Sequence, residues 1–262
     1  MRPYRRAVVL CALFFLALAG VALAQNAPEL TLPTIKIEEG GKGGGGLATP
    51  LQILMLMTVL SLAPYILVMT TSFIRISIVL SFLRTAMGTQ QVPPTQVLMA
   101  LSLFMTLYIM SPVGKRINET ALQPYFSNKI KQAEFIDRAS SPLKDFMFAN
   151  TRKTDIVLFF RLSNLKEKEF PAIEKPADVP IHIMLPSYIV SEIKTAFAIG
   201  FLLYIPFLVI DMVVASVLMS MGMFMLSPMT ISLPFKLLLF VMINGWEIIL
   251  EGLVKSFKQP VY

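Results

Sequence analysis

The chain has 262 residues, of which 55% are hydrophobic and only 15% charged, and its mean hydropathy is +0.69. Soluble domains carry about 25% charged residues, so this composition excludes an ordinary soluble globule and points to a membrane protein. The formal net charge of +7 is a weak basic balance. Its charges alternate in sign through the middle of the chain, which excludes a nucleic-acid footprint.

Arg2, Arg5 and Arg6 precede an apolar stretch from Ala7 to Leu18, and Ala22-Leu23-Ala24 forms an A-x-A site. This is the pattern of a secretory signal peptide over residues 1–24, cleaved between Ala24 and Gln25. Loss of the three arginines lowers the net charge to +4. Cys11, the only cysteine, leaves with the signal, so the mature chain is expected to hold no disulfide and no thiolate metal site.

Residues 25–50 lack periodicity and contain Gly40, Gly41 and Gly43 to Gly46, the composition of a flexible linker. The letters satisfy G-x-G-x-x-G, but no strand precedes them, and a nucleotide site is not expected.

Residues 51–113 read as an N-terminal helical hairpin. Leu51 to Met69 is an uncharged run of 19 residues, about 28 Å as a helix against a hydrocarbon core of about 30 Å. Helical spacing continues through Phe73, Ile76, Leu80 and Leu83, with Arg75 and Arg84 placed on other faces, until Pro93-Pro94. A second apolar run spans Val97 to Val113. The connector carries arginines without acids and is expected to face the cytoplasm.

Residues 114–186 are mixed and charged and predict a small periplasmic helical segment, with Ser141-Pro142 as an N-cap and N1 pair and Pro171, Pro176 and Pro180 marking an extended end. His182, the only histidine, has no companion motif. Glu167 and Glu169 alternate with Lys166 and Lys168 as in a solvated segment.

Residues 187–262 predict a C-terminal helical hairpin. Between Lys194 and Lys236 the only charge is Asp211. A single helix over that length would reach about 61 Å, twice the membrane core, so the chain must turn back. Gly222, Ser227 and Pro228 place the turn at Met221 to Pro228. A hairpin after one crossing leaves Lys255 and Lys258 outside, against the positive-inside preference, and tail orientation stays open.

An ionisable group at the bilayer centre costs at least about 2.5 kcal/mol and needs a partner. Glu192, Lys194, Asp211, Lys236, Glu247 and Glu251 stand among apolar residues. A pair between Glu192 and Lys236 of neighbouring copies is one expectation, with Asp211 a further intersubunit contact; groups lining the membrane surface are the other. Met219, Met221, Met223 and Met225 recur at every second position, which suits an extended loop tip. Such methionines either fill gaps or form a deformable seal. Ala196 and Gly200, then Ser216 and Ser220, place small residues four apart for close helix packing.

The stretch SEIKTAFAIGFLLYIPFLVIDMVVASVLMSMGM, Ser191 to Met223, resembles the central signature of the FliP family, and TSFIRISIVLSFLRTAMGTQQVPP, Thr71 to Pro94, is similar to its second signature. The resemblance covers nearly all of Leu51 to Gly252, and is looser over the signal, the linker and the periplasmic segment. It implies an all-α membrane protein of long kinked helical hairpins. By the same resemblance, several copies, five in the family, assemble with FliQ and FliR into a flagellar type III export gate, with FlhA and FlhB as neighbours. Unfolded flagellar proteins would cross the inner membrane through its centre, with no bond change and no cofactor. The family's methionine-rich constriction would fall on Met221, Met223, Phe224 and Met225, and Phe224 in place of a methionine implies a stiffer seal. The family also implies that part of the assembly stands on the periplasmic side of the inner membrane, at the flagellar basal body. Two other readings are a proton-coupled small-solute transporter using Asp211, Glu247 and Glu251 as relay groups, which would require an internal repeat, and the equivalent subunit of a virulence secretion system. An intramembrane hydrolase lacks any nucleophile, paired-Asp or metal constellation.

Overall fold

A computed structural model describes residues 48–89, 91–163 and 173–259. The expected signal peptide, with Ala24 and Gln25, most of the glycine linker, and Glu167 and Glu169 lie outside the described residues. The chain divides into two units, Met1–Thr58 and Val59–Tyr262. The first is represented by residues 48–58, which are helical, and its side chains from Leu54 to Thr58 are exposed.

Among the described residues every regular element is helical. They are α1 (Ala48–Thr70), α2 (Phe73–Ala86), α3 (Thr95–Ile117), a π-helical turn (Asn118–Leu122), α4 (Gln123–Phe126), α5 (Gln132–Asn150), α6 (Lys153–Leu162), a 3-10 turn (Pro176–Asp178), α7 (Ile181–Ser220), α8 (Pro228–Met242) and α9 (Gly245–Lys255). Among the described residues three stretches, Ile53–Thr70, Thr95–Phe126 and Ile181–Ser220, are long and apolar enough to cross a membrane. The pair α8 and α9, bent by 65°, makes a fourth if taken as one broken span.

The core of the second unit forms where α2 lies along the first half of α7. Ile76, Val79, Leu80, Leu83 and Ala86 recur at helical spacing on α2 and are buried against Ile183, Met184, Tyr188 and Ala196 of α7. Phe146 and Met147 of α5, Ile156 and Phe160 of α6 and Leu253 of α9 complete it. The two long helices approach closely at Gly200. An ideal Cβ there would lie 2.6 Å from Cγ of Phe82, so the absence of a side chain sets the spacing.

Three local expectations change. The first apolar run is not one helix with α2, because the chain breaks at Thr71 and Ser72. Tyr188 donates its hydroxyl to the Thr71 carbonyl at 2.8 Å within the break. Ser141-Pro142 starts no helix. Pro142 lies inside α5, where its ring is buried on one face with Phe146, Met147 and Asn150, and that burial offsets the one ladder amide a proline lacks. The long C-terminal helix begins already at Ile181, with Pro180 at its N-cap, so Pro186 is inside it and the extended end is shorter than expected.

At 40 residues, α7 would extend about 60 Å. Its second half packs on one side only, where Phe207 and Leu218 are buried toward α8. From Phe201 onward, Leu202, Leu208, Val209, Met212, Val213 and Val217 are exposed in the single chain. A polar covering is absent on that stretch, and water does not solvate such a surface without cost.

Candidate functional site

The end of α7 carries the expected turn. The amide of Met223 donates to Leu218 O at 3.0 Å and that of Gly222 to Met219 O at 3.1 Å, the paired bonds of a Schellman motif with Gly222 at φ +74°. A Cβ would strain that left-handed position. Met219 therefore still belongs to the helix, while Met221 to Ser227 form the turn. Ser227 precedes Pro228, which opens α8 as a helix-compatible N1 residue.

The turn exposes its large side chains. Met225 is 99% exposed, Phe224 78%, Met221 68% and Met223 41%. None is held in the core, so their positions respond to whatever lies outside the chain. Behind the turn, α7 and α8 leave an apolar groove of about 590 Å³ lined by Val213, Val217, Leu218, Ile231, Phe235 and Leu239.

Among the described residues the buried charges form three ion pairs within the chain. Glu192 and Lys236 do not pair in this chain. Glu192, fully buried, receives Nε of Arg75 on Oε2 at 2.8 Å and Nη2 of the same guanidinium on Oε1, a bidentate contact between α2 and α7. Lys236 extends Nζ to Asp211 Oδ2 at 2.6 Å and to the carbonyl of Ala86 at 3.3 Å. The other oxygen of Asp211 accepts the Ser232 hydroxyl. Asp211, expected at an intersubunit contact, thus spends both oxygens on α8 of its own chain. Sequence spacing could not order these choices, since the two acids and two cations are all far apart along the chain.

Lys194 reaches Asp155 Oδ1, joining α7 to α6. Glu192 and Lys194, two positions apart, therefore clamp α7 to two different neighbours. Glu247 is exposed, Glu251 pairs with Lys255 one turn along α9, and Asp211 is engaged by Lys236. Asp211 and Glu251, two carboxylates of the proton-relay reading, are thus engaged by different lysines. His182 is exposed in the first turn of α7.

Periodicity places Arg75 on a different face from the apolar residues of α2, yet it is 2% exposed. The signal that finds it is energetic: a guanidinium amid Phe73, Ile74 and Ile76, without an acid nearby in sequence, requires a distant carboxylate.

Outside the helices, Asp178 Oδ2 accepts the backbone amides of Lys175 at 2.7 Å and Glu174 at 3.1 Å. These bonds, the one from Lys175 first, hold its carboxyl below the ordinary 3.8.

The FliP family model matches residues 56–253. The chain is 50% identical over 210 residues to the flagellar biosynthetic protein FliP of Bacillus subtilis, covering 80% of this chain and 93% of that protein. It is 46% identical over 227 residues to that of Aquifex aeolicus, covering 87% and 92%. It is 45% identical over 258 residues to that of Caulobacter vibrioides, covering 97% and 92%.

Proposed function

Because this chain belongs to the FliP family, we propose that it is a pore-forming structural subunit of the flagellar protein export gate, passing unfolded flagellar proteins across the bacterial inner membrane. The observation that carries the reading is the exposed turn Met221–Leu226 at the tip of a hairpin whose outer flanks are apolar and uncovered. Several copies, five in our reading, gather about a common axis with FliQ and FliR, and their neighbours cover the second half of α7. FlhA and FlhB lie close by. The turns then meet at the centre, where Met221, Met223, Phe224 and Met225 supply flexible, polarizable surface that closes around chains of any sequence.

In this reading the signal is cleaved between Ala24 and Gln25 and part of the assembly stands on the periplasmic side, at the basal body. The buried ion pairs are structural, fixing the angle at which α7 and α8 present the turn. Assembly contacts are assigned to the uncovered apolar face of α7 and not to a Glu192–Lys236 bridge. The named relatives are flagellar proteins, which favours the flagellar role over a virulence system.

Permeability is the test. Replacing Met223, Phe224 and Met225 together by alanine in cells expressing the whole gate is expected to admit ions or small molecules that the unaltered gate excludes. Unchanged permeability, with the gate still assembled, overturns the constriction.

A further inference from the structure

α8 is tied to α7 and α2 through Lys236 and Ser232, and α9 is followed by a short segment with contacts of its own. The last residue of α9 is Lys255 and its C-cap is Ser256. Arg75 of α2 donates Nη1 to the Ser256 carbonyl at 2.8 Å and lies 3.1 Å from its hydroxyl. The guanidinium also sits over the Phe257 ring, with Cζ 3.9 Å from the centroid. Phe257 is buried and stacks at 6.2 Å on Phe146 of α5.

One residue later, the Asn150 side chain holds the backbone of Lys258 from both sides. Its Oδ1 accepts the Lys258 amide at 3.0 Å while its Nδ2 donates to the Lys258 carbonyl at 3.0 Å. Nδ2 also donates to Phe146 O at 2.9 Å, which fixes the amide's orientation. Gln259 then donates Nε2 to the carbonyl of Ile109 in α3 at 3.1 Å. Four consecutive residues, Ser256 to Gln259, are gripped by α2, α5 and α3 in turn.

We infer that residues 256–259 are a latch, docked in a preformed intramolecular site, and that its engagement fixes the arm formed by α8 and α9. The chemistry of the site is specific. A guanidinium presents a planar fork that can satisfy a carboxylate with one edge and a carbonyl with another. Arg75 uses Nε and Nη2 for Glu192 and Nη1 for the C-terminal end of α9, where exposed carbonyls and the helix dipole favour a cation. Asn150 reads backbone alone, so the latch recognises the extended path of the tail and tolerates the exposed side chain at Lys258. The arm needs such a hold because α8 and α9 are bent by 65° at Asn244 and much of their surface is exposed. This inference rests on the fold and is independent of the pore reading.

Hydrogen exchange on the full-length chain tests it. Arg75→Lys keeps the charge that Glu192 requires but cannot make both contacts, and Asn150→Ala removes the backbone clasp without touching the ion pair. Each is expected to speed exchange across residues 254–259 and in α9 by roughly tenfold, the scale of one or two lost hydrogen bonds. In Asn150→Ala, which leaves the Arg75–Glu192 pair intact, exchange across the packed half of α7 should stay within about twofold of the parent. Unchanged tail exchange in both variants overturns the latch. An equal rise in α7 in Asn150→Ala also overturns it, because the tail would then be one more part of a single cooperative core.

Discussion

Lys236 and Asp211 meet with Nζ 2.6 Å from Oδ2, yet the lysine side chain is 2% exposed and the aspartate 28%. Removing either partner therefore has unequal consequences. Asp211→Ala strands a buried ammonium and should cost about 3–5 kcal/mol. Lys236→Met leaves a carboxylate that keeps Ser232 and partial access to solvent, and should cost closer to about 1 kcal/mol. Thermal unfolding of the detergent-solubilised protein measures both. Equal losses would mean that the two burials are alike. The double change Asp211→Leu with Lys236→Met should recover much of the deficit, since apolar replacement of a buried pair is often neutral.

Gly200 sets the distance between α2 and α7. A Cβ there meets Phe82 at its Cγ and also at its Cβ, 3.0 Å away, and the latter atom cannot rotate out of the way. Gly200→Ala should therefore destabilise by about 1–3 kcal/mol despite alanine's better helix propensity. In a Phe82→Ala background, which removes the ring but keeps the Cβ at 3.0 Å, the same change should cost clearly less. Strict additivity in that double-mutant cycle would show that the ring is not the obstacle.

The reach of the sequence differs from element to element. The hairpin turn was legible because Gly222, Ser227 and Pro228 interrupt a run too long to cross lipid once, and local backbone rules decide such sites. The core face of α2 was legible from its spacing. Arg75 was not, because periodicity assigns faces by counting apolar residues and a buried cation on the packed face violates the count. Its partner Glu192 lies 117 positions away, and no local pattern encodes that distance. The same burial alters the charge argument for topology: Arg75 is spent on Glu192, leaving Arg84 as the basic residue of the connector that still weighs on membrane orientation. Pro142 misled for a related reason. A proline at a helix start and one inside a helix look alike until the burial of its ring is known.

Asp178 supplies a pH-dependent contact outside the long helices. Its carboxylate accepts two backbone amides, so its pKa is lowered below the ordinary 3.8 in the folded chain. A lowered value means that the stabilisation is complete above the unfolded pKa and is lost as pH falls through the folded one. The Lys175 amide shift should thus hold steady from about pH 7 to about pH 5 and move only below the ordinary carboxylate value. Asp178→Asn should abolish the acid transition. A transition retained in that variant would assign it to another group.

Met225 lies at the opposite extreme from Lys236, since it is 99% exposed and is not among the residues that hold the chain's core. Replacing such a residue should change the stability of the solubilised protein by no more than about 0.5 kcal/mol. If the turn lines a constriction, Met225→Ser should nonetheless raise ion leakage through the assembled gate, while Met225→Leu, similar in volume and apolar, should raise it less. Stability and leakage are therefore to be measured on the same variants. Stability that is flat across the series while leakage follows the size and polarity of the side chain places the residue at a seal formed between chains. Leakage that tracked stability would instead mean that the hairpin itself was disturbed, and the turn's methionines would return to the role of filling gaps.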